Sequence, residues 1–176
     1  MVLQMTKALD AVFDGCRENS LDNRTTALVS FAAQLAAGSE TRAKKSFAGA
    51  KKVGASAAEM SRAACLAACS CGPRVTAAFA KISGKTALAT NEARLFSACA
   101  ENTLDDKTHH LVSLAVCLIG NCACSSGHLI RLKELKVDQA SIHRAACIAA
   151  CEGGLNVKYA YLEHLENIKH CSKCVC

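Results

Sequence analysis

An all-α fold is what this 176-residue chain predicts, and three observations carry that prediction. Hydrophobic residues make up 51% of it, enough to bury a sizeable core and to exclude a disordered chain. Alanine is abundant, proline occurs once and aromatic residues amount to 4%, a balance that favours helices over strands, whose pleated surface selects β-branched and aromatic side chains. Apolar positions also recur at three- and four-residue spacing between residues suited to helix caps.

Taken in order, Leu9, Val12, Phe13 and Cys16 mark a first helix that stops near Asn19, where Ser20 or Asp22 can cap the next. Leu28, Val29, Phe31, Ala32 and Leu35 mark a second helix ending at Gly38. A third runs from about Thr41 to Val53, with Gly54 placed for the left-handed residue that closes a helix. Ser56 and Glu59 form a capping box for a fourth, which carries Cys65 and Cys69 and ends at Gly72. Pro73 suits the first turn of a fifth.

The pattern then begins again. "FDGCRENSLDN" (Phe13 to Asn23) and "FSACAENTLDD" (Phe96 to Asp106) share Phe, Cys, Glu, Asn, Leu and Asp in order, while "RAACLAAC" (Arg62 to Cys69) returns as "RAACIAAC" (Arg144 to Cys151). The offset is 83 residues for the first pair and 82 for the second, too long for a solenoid repeat and right for a duplicated bundle of about five helices per copy. The expected division is a first repeat over 1–84, a second over 85–169 and a cysteine-rich tail over 170–176. In the second repeat the helices are expected near 88–102, 105–119, 123–136, 138–151 and 155–169, with Asp138 as a cap.

The opening residues lack a basic start followed by a continuous apolar core, so no secretory signal is read there. The longest apolar stretch, Leu111 to Ile119, is about half of the ~20 residues that a membrane span requires, and a cytoplasmic protein without a membrane role is expected. Net charge is +6, with Arg42, Lys44, Lys45, Lys51 and Lys52 clustered; with so few aromatic residues for stacking bases, they read as a solvated helix face and not a nucleic-acid surface. Thirteen cysteines, an odd number without a secretory signal, argue for reduced thiols that pack, bind metal or do redox work. Cys65, Cys69, Cys147 and Cys151 sit in alanine-rich helices and are expected in the core, together with Cys16, Cys99 and Cys117.

"GNCACSSGH", residues 120 to 128, is the stretch with chemistry in it. It lies in the turn between the second and third helices of the second repeat. A helix N-terminus favours a thiolate, and Cys124 and His128, four residues apart, share a helix face across which a proton can pass. Cys122, in the preceding loop, is placed to resolve an oxidised Cys124. In the first repeat "GSETRAKKS" aligns with this stretch, setting Glu40, Arg42 and Ser46 where Cys122, Cys124 and His128 stand. No thiol chemistry is possible there, and a packing role is expected.

"HLVSLAVCLIGNCACSSGH" resembles the core of the carboxymuconolactone decarboxylase and alkylhydroperoxidase (AhpD-like) family, in which a helix reading like "LAV" precedes Cys-x-x-Cys-x-x-x-His. Leu114, Ala115 and Val116 match the first part; Cys124 and His128 match the second, with Cys122 as the other cysteine and one residue missing between the two. The resemblance covers most of residues 104–162, and its echo covers 21–80. It implies an all-helical homo-oligomer, a trimer of duplicated chains or a hexamer, and thiol peroxidase or related disulfide chemistry with no required cofactor. Cys124 is then the attacking thiolate, His128 its base and Cys122 the resolving thiol. His110 stands where the family's peroxidases carry a glutamate, as a possible proton relay. A peroxide or other small-molecule substrate and a thiol reductant protein are the expected partners. The alternatives are a non-catalytic or metal-binding helical protein and, by family analogy, a cofactor-free decarboxylase or lactone-processing enzyme. The tail residues His170, Cys171, Cys174 and Cys176 could hold a metal ion or act as a mobile dithiol.

Overall fold

The computed structural model describes residues 20–84 and 103–170, apart from the side chains of Leu155 and of residues 166–170. Eight helices and no strand occur among them: α1 (Asn23–Ala36), α2 (Glu40–Lys52), α3 (Ala57–Cys71), α4 (Pro73–Ser83), α5 (Asp106–Ile119), α6 (Ser125–Glu134), α7 (Gln139–Gly153) and α8 (Leu155–His170). The helices expected before residue 19 and near 88–102 lie outside the described residues, as do Cys16, Cys99 and the tail cysteines.

Local chemistry sets the boundaries. Asp22, Asp105 and Asp138 each accept the backbone N–H of the third residue on, so α1, α5 and α7 begin with the same side-chain cap. Ser56 and Glu59 form the expected capping box at α3, and Pro73 opens α4 where its missing N–H costs nothing. Glu59 is buried at 5% exposure and pairs with Arg24 of α1, which ties the start of α3 to the start of α1.

At the centre α1 and α5 pack on each other, α3 and α7 pack on both, and α2, α4, α6 and α8 lie outside them. The contact of α1 with α5 brings Thr25 Oγ1 to 3.4 Å from Thr108 Oγ1, so residues 83 apart in sequence meet. Phe31 is fully buried with Phe47 and Phe79 around it, ring centroids 5.5 and 6.1 Å away. At the offset of 82 or 83 residues from these three rings stand Leu114, Leu129 and Tyr161, all buried.

Two expectations about cysteine need correction. Cys65 and Cys147 are buried as expected, but both are disulfide-bonded and are not reduced core thiols. Cys69 and Cys151, one turn further on, are exposed free thiols outside the core. They lie beyond the point where α3 and α7 are covered by neighbours, near the helix ends.

Candidate active site at the end of α5

Helix α5 ends in a motif that determines where two sulfurs lie. Cys122 N–H donates to the Cys117 carbonyl (2.9 Å) and Asn121 N–H to the Leu118 carbonyl (3.4 Å), while Asn121 takes the left-handed conformation at φ 51°. This is the Schellman pattern, which folds the second residue past a helix end back onto the side chain of its last turn. It sets Cys122 against Cys117. A tight turn then leads into α6, with Ser125 N–H and Ser125 Oγ both donating to the Cys122 carbonyl (3.2 and 2.7 Å). Cys124 N–H points at Cys122 Sγ, 3.4 Å away.

Cys122 therefore lies two residues before the N-cap Cys124, its sulfur receiving the backbone N–H of that residue at the positive end of α6. That N–H, then the Cys124 thiol and the Cys117 thiol, hold the Cys122 thiol below its ordinary range. Cys124 moves the other way, because its thiol donates to Cys122 and faces the charge there. The expectation that Cys124 is the low-pKa thiol is corrected. Its side chain makes no cap bond and it stands exposed, so the helix terminus acts on Cys122.

The wall behind the dithiol comes from α3. Ser70 Oγ lies 3.6 Å from Cys117 Sγ, and Cys71 is close enough for the charge of Cys122 to help raise its thiol, after burial. Gly120 permits this approach, since a β-carbon there would stand 3.1 Å from the Ser70 carbonyl oxygen and 3.4 Å from Cys71 Sγ. Burial, moderated by the Ser70 bond and reinforced by Cys122 and Cys124, pushes the Cys117 thiol up to about 11.

The imidazoles form a separate pair. His128 Nδ1 and His110 Nδ1 are 2.9 Å apart, so one donates and the other accepts, and the two rings hold opposite neutral tautomers. His109 stacks edge-on to His110 at 5.0 Å. The expected proton contact between His128 and Cys124 is replaced by this His–His bond; Cys124 offers His128 only its backbone carbonyl, at 3.2 Å. Burial, then His110 and His109, lower His128 to about 4, and burial lowers both neighbours as well. Each of these groups loses its buried site when it charges. Stability contributed by the neutral pair is thus complete above the ordinary histidine value of 6.5 and declines as pH falls from there through about 4. Thermal unfolding followed between pH 7 and 4 should show this decline, and His128→Gln should flatten it.

In the first half, Gly38 N–H donates to the Leu35 carbonyl and Ser39 N–H to the Gln34 carbonyl, closing α1 as α5 is closed. Ser39, not Glu40, thus answers to Cys122, and Gln34 answers to Cys117. The one-residue difference between the halves falls at the entry to α2 and α6. Arg42 there pairs with the buried Glu152 of α7 (2.9 Å), which also accepts from Gln34 (3.2 Å), so this end is an ionic joint. Among the described residues no group of three or more metal-ligating side chains could hold an ion, and His170, Cys171, Cys174 and Cys176 lie outside the described side chains.

Residues 4–82 match the model of the carboxymuconolactone decarboxylase family. Over those residues, fewer than half of the chain, the protein is similar to this family. The matched segment is the half whose α1–α2 junction holds Gln34, Ser39 and Arg42; the thiols stand at the corresponding junction of the other half. Carboxymuconolactone decarboxylase members are expected to be helical throughout, and the eight described helices agree. No curated protein and no solved structure matches the chain. No described helix is long and apolar enough to cross a membrane.

Proposed function

We propose that this protein is a thiol-dependent peroxidase or disulfide oxidoreductase of the carboxymuconolactone decarboxylase family that works through Cys122 and Cys124. The observation that carries this reading is the Cys124 N–H aimed at Cys122 Sγ from 3.4 Å, on a partly exposed cysteine at a helix start. A thiolate so held attacks the distal oxygen of a peroxide; the O–O bond breaks and the alkoxide leaves as an alcohol once protonated. The Cys124 thiol then attacks the Cys122 sulfenic acid, forming the disulfide and releasing water. A dithiol or a thiol reductant protein returns the pair to thiols and is itself oxidised.

The neutral His110–His128 pair takes up the proton of the Cys122 thiol and passes it to the leaving oxygen. His128→Gln should therefore slow peroxide consumption about a hundredfold, the loss typical of a positioned proton donor or acceptor. An unchanged rate would remove the imidazoles from the reaction. The test of the whole reading is a thiol count before and after peroxide, with alkylation measured separately at each cysteine.

Assembly into a trimer of duplicated chains or a hexamer is part of the proposal on resemblance alone, since Val53 and Tyr159 are the only large hydrophobic side chains exposed among the described residues. The disulfide-bonded Cys65 and Cys147 favour a compartment in which disulfides persist over the cytoplasm.

A further inference from the structure

We infer that Cys117 is a third redox thiol of this site, forming a disulfide with Cys122 from inside the bundle after Cys122 has been oxidised at the surface. The inference rests on the thiol-redox reading above and adds to it a residue whose sequence context reads as core.

Three observations carry it. The Schellman bonds of α5 fold Cys122 back onto the turn that holds Cys117, with Cys122 N–H on the Cys117 carbonyl at 2.9 Å. The Cys117 thiol stands close enough to Cys122 to help hold that thiol below its ordinary range. Cys117 is 5% exposed with Ser70 Oγ at 3.6 Å, so its sulfur has polar partners on two sides and is not a plain packing group.

Chemically, the Cys117 sulfur attacks the Cys122 sulfenic acid. An S–S bond forms, the S–O bond of Cys122 breaks, and the hydroxide departs as water with the thiol proton of Cys117. Where Cys124 has reacted first, Cys117 displaces it from the Cys122–Cys124 disulfide, and the proton passes from Cys117 to the departing Cys124 with no net change of oxidation state. A disulfide across a single intervening residue closes a small, strained ring, so the exchange relieves strain. Burial is the main cause that keeps Cys117 protonated and the charge on Cys122 adds to it, so oxidation of Cys122 removes one of the causes that hold the inner thiol up.

Cys124→Ser isolates the step. In that variant the tryptic peptide running from Thr108 to Arg131 contains two cysteines, Cys117 and Cys122. After one equivalent of hydrogen peroxide the peptide should lack two hydrogens and carry no adduct of a carbon nucleophile used to trap sulfenic acids. In Cys117→Ser/Cys124→Ser the trapped Cys122 adduct should take its place. A trapped Cys122 adduct in the single variant with Cys117 still free, or a disulfide of Cys122 with Cys71, overturns the inference. An aromatic disulfide such as Ellman's reagent gives a second measurement that does not depend on peroxide. Exposed Cys69 and Cys151 react alike in both variants, so the readout is the difference: Cys124→Ser should rapidly release one thiolate equivalent more than Cys117→Ser/Cys124→Ser. Equal release from both variants overturns the inference; one equivalent more with no oxidation by peroxide upholds the inner thiol and rejects the peroxidase reading. Circular dichroism of each variant confirms that the helices are retained.

Discussion

Cys122→Ser should reduce peroxide consumption by at least about a thousandfold, because it removes the sulfur that both the turn and the helix terminus stabilise as a thiolate. Cys124→Ser should behave differently, keeping the first oxidation of Cys122 and losing speed only when the cycle must turn over. The contrast discriminates sharply, since α6 could have activated either cysteine. Had the helix begun one turn earlier, Cys124 would lie within it and share a face with His128. Instead, Cys124 donates its N–H to Cys122 and stands exposed, raised rather than lowered by the charge beside it. Single-turnover kinetics on the two variants, with alkylation at neutral pH as a parallel readout, decides the matter. A Cys122→Ser protein as active as the parent, with Cys124→Ser inactive, would return the attacking role to Cys124.

Phe31→Ala should be the most damaging of the simple core substitutions, costing about 3–5 kcal/mol. Phe31 is completely buried and touches two further rings from α2 and α4, so the deletion leaves a cavity that α1, held by α3, α5 and α7, cannot collapse to fill. For a protein of this size the loss corresponds to a fall in melting temperature on the order of 10 °C. Leu114 is the matching residue of the other half, and Phe31→Leu should recover most of the loss. A melting temperature within a degree or two of the parent would mean that this aromatic cluster is loosely packed.

Most of the fold was legible because caps and glycines are local signals. Asp22, Ser56 with Glu59, Gly72 and Pro73 bound their helices as expected, and α5 through α8 fall within a few residues of their expected ranges. The site was legible only in outline. That Cys122, Cys124 and His128 lie together near a helix start follows from spacing, yet the start of α6 at Ser125 decides which thiol is activated, and element boundaries are the least certain part of any sequence reading. The partner of His128 could not be read from helical spacing, because His110 belongs to the preceding helix. Cys117 was read as packing because its neighbours are all apolar, although "CLIGNC" carries a usable signal: an asparagine in the left-handed position after a helix folds the next residue back onto the last turn. Ser70 and Cys71 come from the other half of the chain, and nothing near them in sequence points to the dithiol.

The crossing of α1 with α5, and of each with both α3 and α7, gives the two halves a shared interior beside the aromatic cluster that α1, α2 and α4 build among themselves. Leu28 and Val112, on the two crossing helices, have no exposed surface. The boundary near residue 84 is therefore a feature of the sequence pattern and not a seam along which the protein comes apart. Chains divided there would each display an apolar wall to water, one wall with an ionic latch at its end and the other with thiols. Mixed together, the two pieces should recover their helices cooperatively and in equal amounts, as strands of one folding unit that happen not to be joined.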